Sequence, residues 1–123
     1  MKTILLIEDK NAIRENIAEF LELEGYRVIL ANNGKTGLSL AKTVFPDIIL
    51  SDILMPELDG HEVFAALKKE KQTFRIPFIF VTSSAEKSEL QAALDKGVDG
   101  YIRKPFELEE LLETVERCLA LVK

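Results

Sequence analysis

P-D-I-I-L-S-D-I-L-M-P-E-L-D-G, Pro46 to Gly60, is the stretch on which the rest of the reading depends. Ile48, Ile49 and Leu50 form a continuous apolar run without polar alternation, the pattern of a strand buried inside a core. That run is closed by an aspartate, Asp52, and the chain then turns at Pro56 and Gly60. An ionisable group stands where the core stops and the loop begins, and a reason for it has to come from elsewhere in the chain.

Working outward, the same kind of short run recurs. Stretches rich in Ile, Val, Leu, Phe and Tyr lie at about residues 3–7, 27–31, 47–51, 78–82 and 100–103. Between them the apolar residues take helical spacing. Ile13, Ile17, Phe20 and Leu21 share one face before Gly25, and a second helix is expected from Lys35 to about Val44, ahead of Pro46. Val63, Phe64 and Leu67 mark a third, Leu90, Ala93 and Leu94 a fourth that ends at Gly97, and Leu108 to Val122 a fifth. Gly25 and Gly97 stand where a helix C-terminus favours a left-handed residue. Strands that alternate with helices call for right-handed crossovers and a parallel sheet between helical layers. The expected fold is α/β, a doubly wound (βα)5 sandwich of five parallel strands flanked by five helices, with residues 1–123 forming one domain.

Composition narrows the function. The chain has 123 residues, of which 47% are hydrophobic and 30% charged, as in ordinary soluble globular proteins with a sizeable core. A net charge of -5 and a pI near 5.0 argue against non-specific binding to nucleic acid or to an anionic membrane. No apolar run approaches the ~20 residues of a membrane span. The N-terminal M-K-T-I-L-L-I is cut short by Glu8 and Asp9, so it reads as a first strand and not as a signal peptide. The single Cys118 lies on the stripe Leu111, Val115, Leu119, Val122 and reads as a packed core thiol, in keeping with a cytoplasmic protein.

In doubly wound folds ligands bind beyond the carboxyl ends of the strands, at the switch point of strand order. The residues expected there are Glu8 and Asp9 after the first strand, Asp52 after the third, Thr82, Ser83 and Ser84 after the fourth, and Lys104 and Pro105 after the fifth. Carboxylates gathered on one edge repel one another, and a hard divalent cation such as Mg²⁺ relieves the repulsion. With the cation and Lys104 present, the site can take in a further anion. A phosphoryl group would satisfy metal, lysine and the Thr82 hydroxyl together, and a carboxylate can serve as its acceptor.

At this point the chain resembles the response-regulator receiver domains of two-component signalling. The segments that carry the resemblance are I-L-L-I-E-D-K, D-I-I-L-S-D-I-L-M-P-E-L-D-G, I-P-F-I-F-V-T-S-S and G-V-D-G-Y-I-R-K-P-F, in order and at the strand ends. The resemblance implies a flavodoxin-like fold in which Asp52 accepts a phosphoryl group from a phosphohistidine on a sensor histidine kinase or phosphotransfer protein. It implies that Glu8, Asp9, Asp52 and the backbone carbonyl of Leu54 hold Mg²⁺, with Mn²⁺ as a substitute, and that Thr82 and Lys104 contact the phosphate. Most of the family has Asp-Asp where this chain has Glu8-Asp9. Thr82 and Tyr101 would form the switch, with Thr82 moving toward the phosphate and Tyr101 turning into the space it leaves. A downstream protein would then read the face made by the fourth helix, fifth strand and fifth helix, with the chain a monomer or a phosphorylation-dependent dimer. The Lys104–Pro105 bond is expected to be cis. Within these residues no direct contact with nucleic acid or membrane is expected.

The remaining residues are expected to play plainer parts. A lone Asp52 would read as a turn cap, and its company with Asp9 and Lys104 makes it a nucleophile. Asp9 is expected to cap the first helix as well as bind metal, Asp59 to cap the third, and His61 to be exposed or capping. Leu54 and Ser84 bring no acid or amide to the site, which predicts a long-lived phospho-aspartate. Two other classes fit less well. A haloacid-dehalogenase-type phosphatase needs an aspartate where Leu54 stands, and a nucleotide-binding module needs a glycine-rich turn where E-D-K-N-A stands. A scaffold that only binds partners would be marked by loss of Asp52 or Lys104. The initial methionine and the short tail are taken to favour a stand-alone protein over a piece of a longer regulator.

Overall fold

The computed structural model describes residues 1–83 and 87–121. The element order is β1 (Thr3–Ile7), α1 (Asn11–Leu23), β2 (Arg27–Ala31), α2 (Gly34–Val44), β3 (Ile48–Ser51), α3 (Gly60–Lys68), β4 (Phe78–Thr82), α4 (Lys87–Asp95), β5 (Gly100–Arg103) and α5 (Leu108–Leu121). All strand pairs are parallel and the sheet order is β2-β1-β3-β4-β5, the expected doubly wound, flavodoxin-like arrangement. No helix among the described residues is long and apolar enough to cross a membrane.

The period-2 alternation of strands divides the core into two layers. Leu5, Ile7, Ile49, Phe78 and Phe80 face one side, where Ala41 of α2, Val63, Phe64 and Leu67 of α3, and Ala93 of α4 cover them. Ile4, Leu6, Ile48, Leu50, Ile79 and Val81 face the other, covered by Ile17, Ala18 and Leu21 of α1 and Leu111, Val115 and Cys118 of α5. Burying each large aliphatic side chain contributes ~1.5–3 kcal/mol before entropy is counted. In the first layer Phe64, Phe78 and Phe80 meet edge to face with centroids 5.2 to 6.0 Å apart, the favoured geometry of aromatic pairs. Cys118 packs as expected, and burial raises its thiol pKa.

Two aspartates pin the other end of the sheet. Asp47 Oδ2 accepts from the Thr3 N–H at 2.7 Å and Asp99 Oδ2 from the Phe78 N–H at 2.8 Å. That is why the third strand begins at Ile48 and not at Asp47. The second helix likewise begins at Gly34, one residue before Lys35, because the Asn33 side chain accepts from the Thr36 N–H at 2.8 Å and caps it. Gly25 and Gly97 take φ of 97° and 98°, the left-handed region that closes α1 and α4. The Lys104–Pro105 bond is cis. Val122, expected on the stripe of α5, lies outside the described residues.

Candidate functional site

The strand order turns back between β1 and β3. The chain runs from β1 outward to β2 and then crosses to β3 on the far side, which opens a crevice beyond the carboxyl ends of β1 and β3. Three residues at this edge are held by extensions of the sheet ladder. Glu8 N–H donates to Ala31 O at 3.0 Å, Asp52 N–H to Ile7 O at 3.0 Å, and Lys104 N–H to Thr82 O at 2.8 Å. Each is the first residue beyond its strand, and each bonds to the last carbonyl of the neighbouring one. Residues distant in sequence are thereby fixed on rigid backbone with their side chains at one edge.

Those side chains meet. Lys104 Nζ lies 2.6 Å from Glu8 Oε1 and 3.4 Å from Asp52 Oδ2. The Glu8 and Asp52 side chains are 2% and 7% exposed, so these charges are largely withdrawn from water. Burial pushes the Glu8 carboxyl above the usual carboxylate range; the hydrogen bond from Lys104 opposes that shift and the Asp52 charge adds to it. Asp52 Oδ1 accepts from the Ile53 N–H at 2.7 Å, and the Ser51 hydroxyl donates to the Asp52 carbonyl at 2.8 Å. Thr82 is fully buried at the end of β4.

Asp9 completes the cluster but does not cap α1. Lys10 holds the N-cap position with no side-chain cap bond, and Asp9 Oδ1 is buried with no hydrogen-bond partner among the described residues. A buried carboxylate oxygen without a donor is costly unless a cation satisfies it. Carboxylate oxygens of Glu8, Asp9 and Asp52 lie within 4.8 Å of one another. An all-oxygen, acidic donor set of this kind suits a hard divalent cation, and Mg²⁺ in particular, which needs few carboxylates.

The model of the response regulator receiver domain matches residues 4–116. The chain belongs to this family. Among curated proteins, a probable transcriptional regulator of Pyropia yezoensis is 38% identical over 117 residues, which are 95% of this chain and 53% of that protein. Among solved structures, the receiver domain of Francisella response regulator 1452 aligns with a TM-score of 0.93 at 29% identity, with 100% of both chains covered. The signal receiver domain of a signal transduction histidine kinase from Syntrophus aciditrophicus aligns with a TM-score of 0.91 at 32% identity, covering 100% of this chain and 93% of that one. The chain spans about half the length of the curated relatives it matches.

In this receiver domain the sequence-predicted residues Glu8, Asp9, Asp52 and Lys104 come together; Thr82 lies at the end of β4 in register with Arg103, and Tyr101 lies two residues further back on β5, in register with Phe80. Tyr101 is half-buried, its ring 6.4 Å from that of Phe80. Leu54 is 66% exposed beside the site. Ser84 lies outside the described residues. His61 is neither exposed nor capping: its ring meets Phe80 edge-on at 5.0 Å, and its Nδ1 is buried with no hydrogen-bond partner among the described residues. Asp59 supplies the cap, so His61 at the second position of α3 is free to turn onto the aromatic layer. Two supports add to the site: Arg14, unread in the sequence, and Gly60, read there only as a turn residue. Arg14 donates from Nη1 to the Glu8 carbonyl at 2.8 Å, and Gly60 packs against the Asp52 carbonyl. Arg14 carries no sequence signature, since its role depends on α1 crossing the end of β1. Gly60, in a turn after an aspartate-bearing strand, is the readable one.

Proposed function

We propose that this receiver domain, taken as residues 1–123, accepts a phosphoryl group on Asp52 from the phosphohistidine of a sensor histidine kinase or a phosphotransfer protein. The observation that carries this reading is the meeting of Asp52 with Glu8, Asp9 and Lys104 at one sheet edge, within a chain of this family.

Asp52 Oδ1 is engaged by the Ile53 N–H, which leaves Oδ2 as the attacking oxygen. A P–O bond forms at Oδ2 as the P–N bond breaks, and the imidazole nitrogen leaves with the bonding pair. Mg²⁺, or Mn²⁺ in its place, bound by Glu8, Asp9, Asp52 and the Leu54 carbonyl, would neutralise charge on the phosphoryl oxygens. Lys104 offsets further negative charge, and the Thr82 hydroxyl donates to a phosphoryl oxygen. The chain's part is positioning and charge, and its chemistry is confined to its own phosphorylation and dephosphorylation.

Phosphorylation turns the singly charged Asp52 carboxylate into an acyl phosphate of total charge about −1.5 to −2, so up to about one negative charge is added there. In this reading Thr82 moves toward it, Tyr101 turns inward, and the face of α4, β5 and α5 changes its preference for a downstream protein partner. The shift is a change of population between two packings, with or without dimerisation. The setting is the cytoplasm, where kinase phosphodonors are made. Output runs through protein contacts, since an acidic chain of net charge -5 makes a poor nucleic-acid ligand by itself.

Intact mass after incubation with acetyl phosphate and Mg²⁺ tests the reading. One phosphate adduct is expected on the wild type, dependent on Mg²⁺ and absent from Asp52→Asn. A folded wild type that takes up no phosphate would leave a scaffold that only binds partners.

A further inference from the structure

Lys104 faces two carboxylates and favours one. Its Nζ stands at 2.6 Å from Glu8, the length of a strong charge-assisted hydrogen bond, and at 3.4 Å from Asp52, a looser contact. The pair is well shielded, with the lysine side chain 13% and the glutamate 2% exposed, so solvent and salt screen it little. The other Glu8 oxygen accepts from the Lys10 N–H at 3.3 Å, while Asp9 Oδ1 has no partner among the described residues. The three carboxylates are therefore unequal: Glu8 is engaged on both oxygens, Asp52 has the Ile53 N–H on Oδ1 and only the looser 3.4 Å lysine contact on Oδ2, and Asp9 Oδ1 has no partner among the described residues. Glutamate has one methylene more than the aspartate usual in the family, and that reach carries its carboxylate to the lysine.

We propose that Glu8 acts as a latch on Lys104, a positioning residue for which the lysine and an arriving divalent cation compete, so that cation loading releases Lys104 toward the group on Asp52. This rests on the reading of the acidic cluster as a divalent-cation site. A carboxylate drawn onto a divalent cation loses most of its hold on an ammonium beside it. The released ammonium has a short way to go, because Asp52 Oδ2 is already 3.4 Å off. Before loading, Glu8 keeps Lys104 from forming a close pair with Asp52, and the acceptor oxygen has only the looser 3.4 Å contact. The coupling is reciprocal, so whatever takes Lys104 away from Glu8 must raise cation affinity by the factor that the cation weakens the pair.

A latch differs from the plain repulsion between a lysine and a metal ion, because it acts only through Glu8. Calorimetric titration of the unphosphorylated chain with Mg²⁺ separates the two, using wild type, Lys104→Gln, Glu8→Gln and the double variant. Lys104→Gln is expected to bind Mg²⁺ roughly threefold or more tighter than wild type, within the range of couplings between contacting groups, and to lose that gain in the Glu8→Gln background. An equal gain in both backgrounds overturns the latch. Nuclear magnetic resonance of the lysine side chains in the unmutated chain gives a second reading that no misfolded variant can spoil. The Lys104 ε-methylene resonance should shift in step with Mg²⁺ saturation, and a resonance that stays put while Mg²⁺ binds also overturns the latch. Wild type that binds no Mg²⁺ would remove the cation site and the latch together. Mg²⁺ binding without coupling would remove the latch alone and leave the phospho-acceptor reading standing.

Discussion

Gly60 sets its bare α-carbon against the carbonyl oxygen of Asp52, close enough that a methyl group there would collide with that oxygen. The Gly60 N–H also donates to the Ile53 carbonyl at 2.8 Å, so the start of α3 grips the loop that leaves the acceptor. Backbone is the obstacle on the far side, and it has little room to yield. Gly60→Ala is expected to cost about 1–3 kcal/mol in urea unfolding, the range for overpacking a close contact. It is also expected to slow labelling by acetyl phosphate, since Asp52 has to shift to relieve the clash. Unchanged stability and labelling would mean that the loop adapts freely.

Asp59 and Glu62 close a reciprocal capping box at the same helix start. Asp59 Oδ1 accepts from the Glu62 N–H at 2.9 Å, and Glu62 Oε1 accepts from the Asp59 N–H at 3.0 Å. Asp59→Ala should lower unfolding stability by about 1 kcal/mol, as loss of a good N-cap does. Asp59→Asn, which keeps the acceptor oxygen, should recover most of it. Equal losses in both variants would point to the charge near the helix N-terminus and not to the cap.

The layers of this fold were legible because β3 and β4 are buried on every residue and show as unbroken apolar runs. Asp52 and Lys104 were legible for a related reason: each stands one residue beyond a strand with a known destination, after Ser51 and Arg103 end the run. Small offsets had local causes, such as Asp47 leaving the strand register to accept from Thr3. What stayed hidden depends on ångström-scale placement between distant elements. No spacing in the sequence tells that Lys104 sits nearer to Glu8 than to Asp52, or that the His61 ring turns onto Phe80. Asp9 reads both as a member of the acidic cluster and as a helix cap, and only the cap fails, although a carboxylate just before a helix usually is one. Here the helix begins one residue later than that role requires, and Asp9 points into the acidic cluster instead.

The raised Glu8 carboxyl gives a pH dependence of definite sign. In the folded chain Glu8 holds its proton at pH values where the unfolded chain, near 4.5, has lost it. Its contribution to stability is therefore complete below that pH and is lost as pH rises through the folded value. In metal-free buffer with chelator, the stability of wild type relative to Glu8→Gln should fall as pH climbs above 4.5. Urea midpoints of the two proteins between acidic and neutral pH check this. A wild-type advantage that grows with pH would mean that the ion pair with Lys104 outweighs burial.

Leu54 bears on how long a phosphoryl group would stay on Asp52. Hydrolysis of an acyl phosphate needs a water aligned opposite the Asp52 oxygen, and a neighbouring acid or amide can hold it there. Leu54 stands two residues beyond the acceptor, 66% exposed, with a side chain that neither donates nor accepts a hydrogen bond. The phosphorylated chain should therefore lose its phosphate slowly. Leu54→Asn or Leu54→Glu should speed the loss by about tenfold or more if the new side chain orients the water. Following radiolabelled phosphate on the purified protein after removal of the donor measures both. Rapid loss from the wild type would show that water reaches the phosphoryl group in line without help at this position, and the leucine would then have no part in setting the lifetime.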